Sequence, residues 1–124
     1  YCPIDWMIPA PAQGAILVTA REDDPKLLKK IKPLSHQSSY DCVQIERAFL
    51  RALQGGCSAP IGAHASLQNQ RISFQGCVTE IDGSQHIEIR ESFDLQTSDI
   101  GKRAAEILRK AGGEQVLRKL KSHE

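Results

Sequence analysis

The chain has 124 residues, with 16 Lys and Arg against 15 Asp and Glu, a net charge of +1 at pH 7 and 40% hydrophobic side chains. That length is one ordinary domain with a short appendage, and the near-neutral balance argues against a nucleic-acid-binding surface. No run approaches the ~18 apolar residues of a membrane span, and the first residues lack the charged-then-apolar layout of a signal peptide, so no membrane partner is expected. The chain opens on Tyr1 and is read as a piece of a longer protein.

In chain order, residues 1–14 hold Pro3, Pro9 and Pro11, too many for a helix or a central strand. Ala15 to Ala20 reads as a short buried strand. Asp23 or Asp24 then caps a helix with Pro25 at its first position. Leu27, Leu28, Ile31 and Leu34 form the apolar stripe of that helix, and Lys26, Lys29, Lys30 and Lys32 form a solvated face. Ser38 or Ser39 opens a second helix whose stripe is Cys42, Ile45, Phe49, Ala52 and Leu53. Glu46 and Arg47 fall beside that stripe, placed either to fix the following loop through a neighbour or to serve as plain surface.

Three strands come next. Ile61, Ala63, Ala65 and Leu67 alternate with polar or small residues, as do Ile72, Phe74, Gly76 and Val78 after a turn at Gln68-Asn69-Gln70. Asp82-Gly83 is a hairpin signal, and Ile87, Ile89 and Phe93 alternate beyond it. One polar and one apolar face describe an antiparallel sheet with a single covered side. Its cover is a helix capped by Ser98 or Asp99, bearing Ile100, Ala104, Ile107, Leu108 and Ala111, interrupted at Gly112-Gly113 and resumed from Glu114 with Val116, Leu117 and Leu120. The fold class is therefore α+β: a two-layer domain with a three-stranded antiparallel sheet covered on one face by helices, in the order α-α-β-β-β-α, behind a short extended N-terminal segment.

The four cysteines, at positions 2, 42, 57 and 77, form no Cys-x-x-Cys pair, and the four histidines are scattered, so neither a disulfide framework nor a metal site is expected. Cys42 and Cys77 read as reduced packing residues, which suits the cytoplasm. Cys57 differs. Gly55 and Gly56 suit a helix C-terminus, where a left-handed residue is common, and Pro60 bars the helix from resuming. The thiol is thus presented on a short, tightly specified loop. It follows the negative end of a helix, which opposes thiolate formation, so it does not suit a turnover nucleophile.

The words around Cys57 carry a resemblance. Glu46-Arg47-Ala48-Phe49-Leu50, followed by Leu53-Gln54-Gly55-Gly56-Cys57-Ser58-Ala59-Pro60-Ile61, resembles the signature segment of the porphobilinogen deaminase (hydroxymethylbilane synthase) family. Pro11-Ala12-Gln13-Gly14-Ala15-Ile16 is similar to a second marker of that family, with Ala12 where many members have glycine. The resemblance implies that Cys57 carries a dipyrromethane cofactor through a thioether. It also implies that Gln13 and Gly14 approach the cleft holding that cofactor, although both residues equally suit a simple turn. Residues 1–20 would be the segment returning from the second domain to the first, where the strand at 15–20 would join the first domain's sheet. Without that sheet the strand would lie exposed, pair with another copy or fold onto this domain. Residues 21–124 would be the C-terminal cofactor-attachment domain.

Members of the family join four porphobilinogen units head to tail, releasing ammonia each time, and yield hydroxymethylbilane for tetrapyrrole and haem biosynthesis. Partners implied are porphobilinogen, the growing polypyrrole and the missing N-terminal domains 1 and 2. The family's catalytic aspartate and carboxylate-binding arginines belong to those domains, so no catalytic residue is assigned here and this part alone is expected to be inactive. Two other readings compete. One is a double-stranded-RNA-binding-like module without enzymatic activity, using Lys102 and Arg103 at the start of the last helix. The other is a small interaction domain with Cys57 merely structural.

Overall fold

The computed structural model describes residues 1–4, 6–54 and 60–122. Cys57, Gly55 and Gly56 lie outside the described residues. The elements are α1 (Pro25–Ile31), a 3-10 turn (Lys32–Leu34), α2 (Gln37–Leu53), β1 (Ile61–Gln68), β2 (Arg71–Thr79), β3 (His86–Asp94), α3 (Ile100–Leu108), a π-helical turn (Arg109–Gly113) and α4 (Glu114–Ser122). The α+β fold and the order α-α-β-β-β-α are those expected, with the last helix divided at the glycine pair.

The sheet is a meander in the order β1-β2-β3, antiparallel throughout. Gln68 pairs with Arg71, leaving a two-residue hairpin at Asn69 and Gln70, both in the left-handed region at φ 48° and 62°. That backbone follows the right-handed twist of the flanking strands. At the second hairpin Gly83 takes φ 74°, and Ser84 N–H donates to Asp82 Oδ1.

Ile61, Ala63, Ala65, Ile72, Phe74, Val78 and Ile89 put the apolar side of the sheet under the helices. Phe49 of α2 meets Phe74 of β2 edge-to-face, with ring centroids 5.0 Å apart, an arrangement that favours the positive ring edge over the negative face. Where α2 and α3 cross, Gly101 replaces a side chain. A Cβ there would stand 2.4 Å from the carbonyl oxygen of Ile45. Gly112, at φ 114°, breaks the helical path after Arg109, so α4 runs back with Val116 and Leu117 buried.

Several local expectations are corrected. Residues 15–20 form no strand, and Ile16, Leu17 and Val18 stand exposed. α1 has Asp24 as its cap, accepting from Leu27 N–H, but it buries none of its residues. α2 starts at Gln37, ahead of Ser38 and Ser39, whose hydroxyls lie against the His36 ring instead of capping. Asp99 precedes α3 in a left-handed conformation without a side-chain cap, because its carboxylate pairs with Lys102. Ala111 is exposed, since the π turn rotates it off the stripe that Ala105 completes.

Candidate functional site

Cys42, Glu46, Phe49 and Leu53 are the buried residues of α2, at successive spacings of four, three and four. Glu46 therefore lies within the stripe, not beside it, and is only 5% exposed. A buried carboxylate needs hydrogen-bond donors to offset its lost hydration. Glu46 finds them in two backbone amides: Ala65 N–H of β1 donates to Oε1 at 2.8 Å, and Ala12 N–H of the N-terminal segment donates to Oε2 at 2.7 Å. His64 Nδ1 stands 3.8 Å from Oε1. Of the two roles open to Glu46, the structure shows a residue with partners, whereas Arg47 is exposed.

The N-terminal segment reaches this point along the outer edge of β1. Pro9 C=O accepts from Ala63 N–H at 2.9 Å, so Pro9 and Glu46 between them occupy successive outward amides of an edge strand. Gly62 makes the approach possible: a Cβ there would lie 2.8 Å from the Ile8 carbonyl oxygen and 2.8 Å from Cys77 Sγ. Cys77 is consequently buried, although it belongs to the otherwise polar face of the sheet. Burial pushes its thiol pKa up. Burial, and then the Glu46 and Asp41 carboxylates, push Cys42 up in the same way. Both are packing thiols in their neutral form.

Gln13 and Gly14 follow at once. Gln13 N–H donates to Ala10 C=O and Ala15 N–H to Ala12 C=O, closing a double turn over residues 10–15. Ala12 and Gly14 both take positive φ, 64° and 81°. Gln13 and Gly14 are exposed, and among the described residues, its two chain neighbours aside, no atom lies within 4 Å of where a Cβ on Gly14 would be. Both residues thus form a turn with open space over it.

At the other end of α2 the helix stops one residue earlier than the glycine pair suggests. Gln54 itself adopts the left-handed conformation, at φ 57° and ψ 32°. Two cationic side chains from the C-terminal part hold this end. Arg109 donates to Ala52 C=O at 3.1 Å and pairs with Glu114, while Lys121 donates to the Gln54 side chain. Cations there suit the negative end of the helix. Lys119 pairs with Glu80 at 2.6 Å and holds that carboxyl below its usual pKa. Sequence reasoning missed Arg109 and Lys121, because nothing in the spacing of α4 tells that the glycine kink folds it back onto α2.

Among the described residues no Lys or Arg lines the shallow groove of about 310 Å³ bounded by Asp41, Ile45, Ile72, Leu95 and Ile100, so it does not suit a polycarboxylate. Nor does the start of α3 present a bare cationic cluster, since Lys102 is paired with Asp99 at 3.0 Å.

A family model described as porphobilinogen deaminase, C-terminal domain, matches residues 40–110. The porphobilinogen deaminase of Desulforamulus reducens is 35% identical over 123 residues, covering 98% of this chain and 40% of that protein. That of Pelotomaculum thermopropionicum is 37% identical over 123 residues, covering 98% and 39%. A Synechococcus porphobilinogen deaminase is 40% identical over 114 residues, covering 90% and 35%. The chain thus spans 35–40% of the length of these curated relatives.

Proposed function

The chain belongs to the porphobilinogen deaminase family through its C-terminal domain, and from that membership we propose that it is the cofactor-attachment part of a hydroxymethylbilane synthase. The whole enzyme is a transferase that condenses four porphobilinogen units into hydroxymethylbilane with loss of ammonia, for tetrapyrrole biosynthesis. In this reading residues 21–124 are the attachment domain and residues 1–20 the segment returning from the second domain to the first. Domains 1 and 2 supply the acid and the basic wall for the carboxylates. The observation that carries the proposal is the match over residues 40–110, which includes the Glu46-to-Ile61 segment around Cys57.

Cys57 holds a dipyrromethane through a thioether. When bound, that group supplies a covalent primer for chain growth. The donor set on the described residues fits such a group. Gln13 offers an exposed amide that hydrogen-bonds a carboxylate or a pyrrole N–H, and the open space over Gly14 leaves room for a ring. Lys121, held at the end of α2 beside Arg109, puts a cation of this chain near the start of the cysteine loop. Buried, free Cys42 and Cys77 suit a reducing compartment, and we place the enzyme in the cytoplasm.

The test is incubation of the 124-residue chain and of its parent enzyme with porphobilinogen, followed by assay of hydroxymethylbilane. The parent forms it and the chain alone does not. Turnover by the isolated chain, or a parent that consumes no porphobilinogen, contradicts the proposal.

A further inference from the structure

Glu46 is an expensive residue for a helix stripe that could have been wholly apolar. A carboxylate with 5% exposure gives up most of its hydration. Here it recovers stabilisation from two backbone amides that belong to different parts of the chain, Ala12 and Ala65. Charge-assisted hydrogen bonds of this kind are short and directional. Its ion-pair neighbour among the described residues is His64, which is half exposed and 3.8 Å away. The carboxylate's geometry is therefore aimed at main chain.

A second observation concerns the turn that Glu46 holds. Ala12 has φ 64°, a conformation that costs an L-residue with a Cβ about 1–2 kcal/mol. Such strain persists only where the surroundings over-determine the backbone, and it collects where a particular shape is required. Ala12 is fixed on one side by Glu46 Oε2 and, through Pro9, by the Ala63 amide. Beyond it, Gln13 and Gly14 stand exposed, and no described residue other than its chain neighbours crowds the Cβ position of Gly14.

We infer that Glu46 is a positioning residue: through the Ala12 amide it sets the shape and place of the turn that presents Gln13 and Gly14. The inference rests on the proposed role of Gln13 and Gly14 at the polypyrrole cleft. It adds that α2, whose far end leads into the cysteine segment, also holds the turn. The two marker motifs share one helix as their common support. Glu46 touches no substrate in this account; it acts on the turn.

Amide exchange followed by NMR on the 124-residue chain tests the geometry without any activity. In the unaltered chain the Ala12 amide exchanges at least about tenfold more slowly than the amides of Ile16, Leu17 and Val18, the protection a charge-assisted bond gives. An Ala12 amide as fast as those three overturns the inference with no variant needed. Glu46→Gln keeps one acceptor oxygen and turns an NH2 group towards the other amide. It speeds Ala12 exchange about tenfold while amides in α3 and β3 stay protected. In the parent enzyme the same substitution leaves the covalent mass increment in place and raises the KM for porphobilinogen at least about fivefold, with a smaller change in kcat. A released Ala12 amide with unchanged KM and kcat overturns the positioning role. Absence of any covalent increment in the unaltered parent enzyme contradicts the functional proposal instead, and the exchange result still stands.

Discussion

In α2, Phe49 and Leu53 are fully buried, whereas in α1, Leu27 and Leu28 remain 42% and 37% exposed. Both helices show apolar residues at spacings of three and four, and α1 has the better cap. What separates them is a partner. Around α2, the sheet, α3 and the returning α4 supply matching apolar faces within the same chain. α1 and residues 15–20, with Ile16 and Leu17 94% and 78% exposed, meet no such face among the described residues. Periodicity shows which side of an element is meant to be covered. It does not show what covers it.

Two substitutions in this chain sharpen the contrast. Phe49→Ala removes a ring with no exposed surface from its edge-to-face contact with Phe74, and costs about 3–5 kcal/mol in urea unfolding. That is a large part of the stability of a domain this size. Leu27→Ser, on a helix that buries nothing, shifts stability by less than about 0.5 kcal/mol. Similar losses from both would mean that α1 packs on the core after all.

Much of the core was legible. Strict alternation over Ile72, Phe74, Gly76 and Val78 reads directly as β2, and the Gly112-Gly113 interruption is where the last helix kinks. The site was less so. Glu46 fits the spacing of the buried stripe perfectly well, but a carboxylate at a core position is discounted unless its donors are known. Those donors are main-chain amides, at Ala12 and Ala65, that no side-chain pattern reveals. Gly55 and Gly56 suit a left-handed residue at the end of α2 because glycine enters that region cheaply. Gln54, just before them, is left-handed with its side chain held by Lys121, and the glycines themselves lie outside the described residues. Residues 15–20 carry a buried strand's composition, but the adjacent edge of β1 is already occupied by Pro9 and Glu46.

The exposed N-terminal apolar residues and the self-contained core fit one account, in which this chain is the attachment part of a larger deaminase. Its central claim is the covalent bond at Cys57. Peptide mass spectrometry of the parent enzyme, unaltered and as Cys57→Ser, tests it most directly. A dipyrromethane increment on the Cys57 peptide that disappears in the variant is the expected result. The same increment persisting in the variant, or found on another residue, would contradict the account.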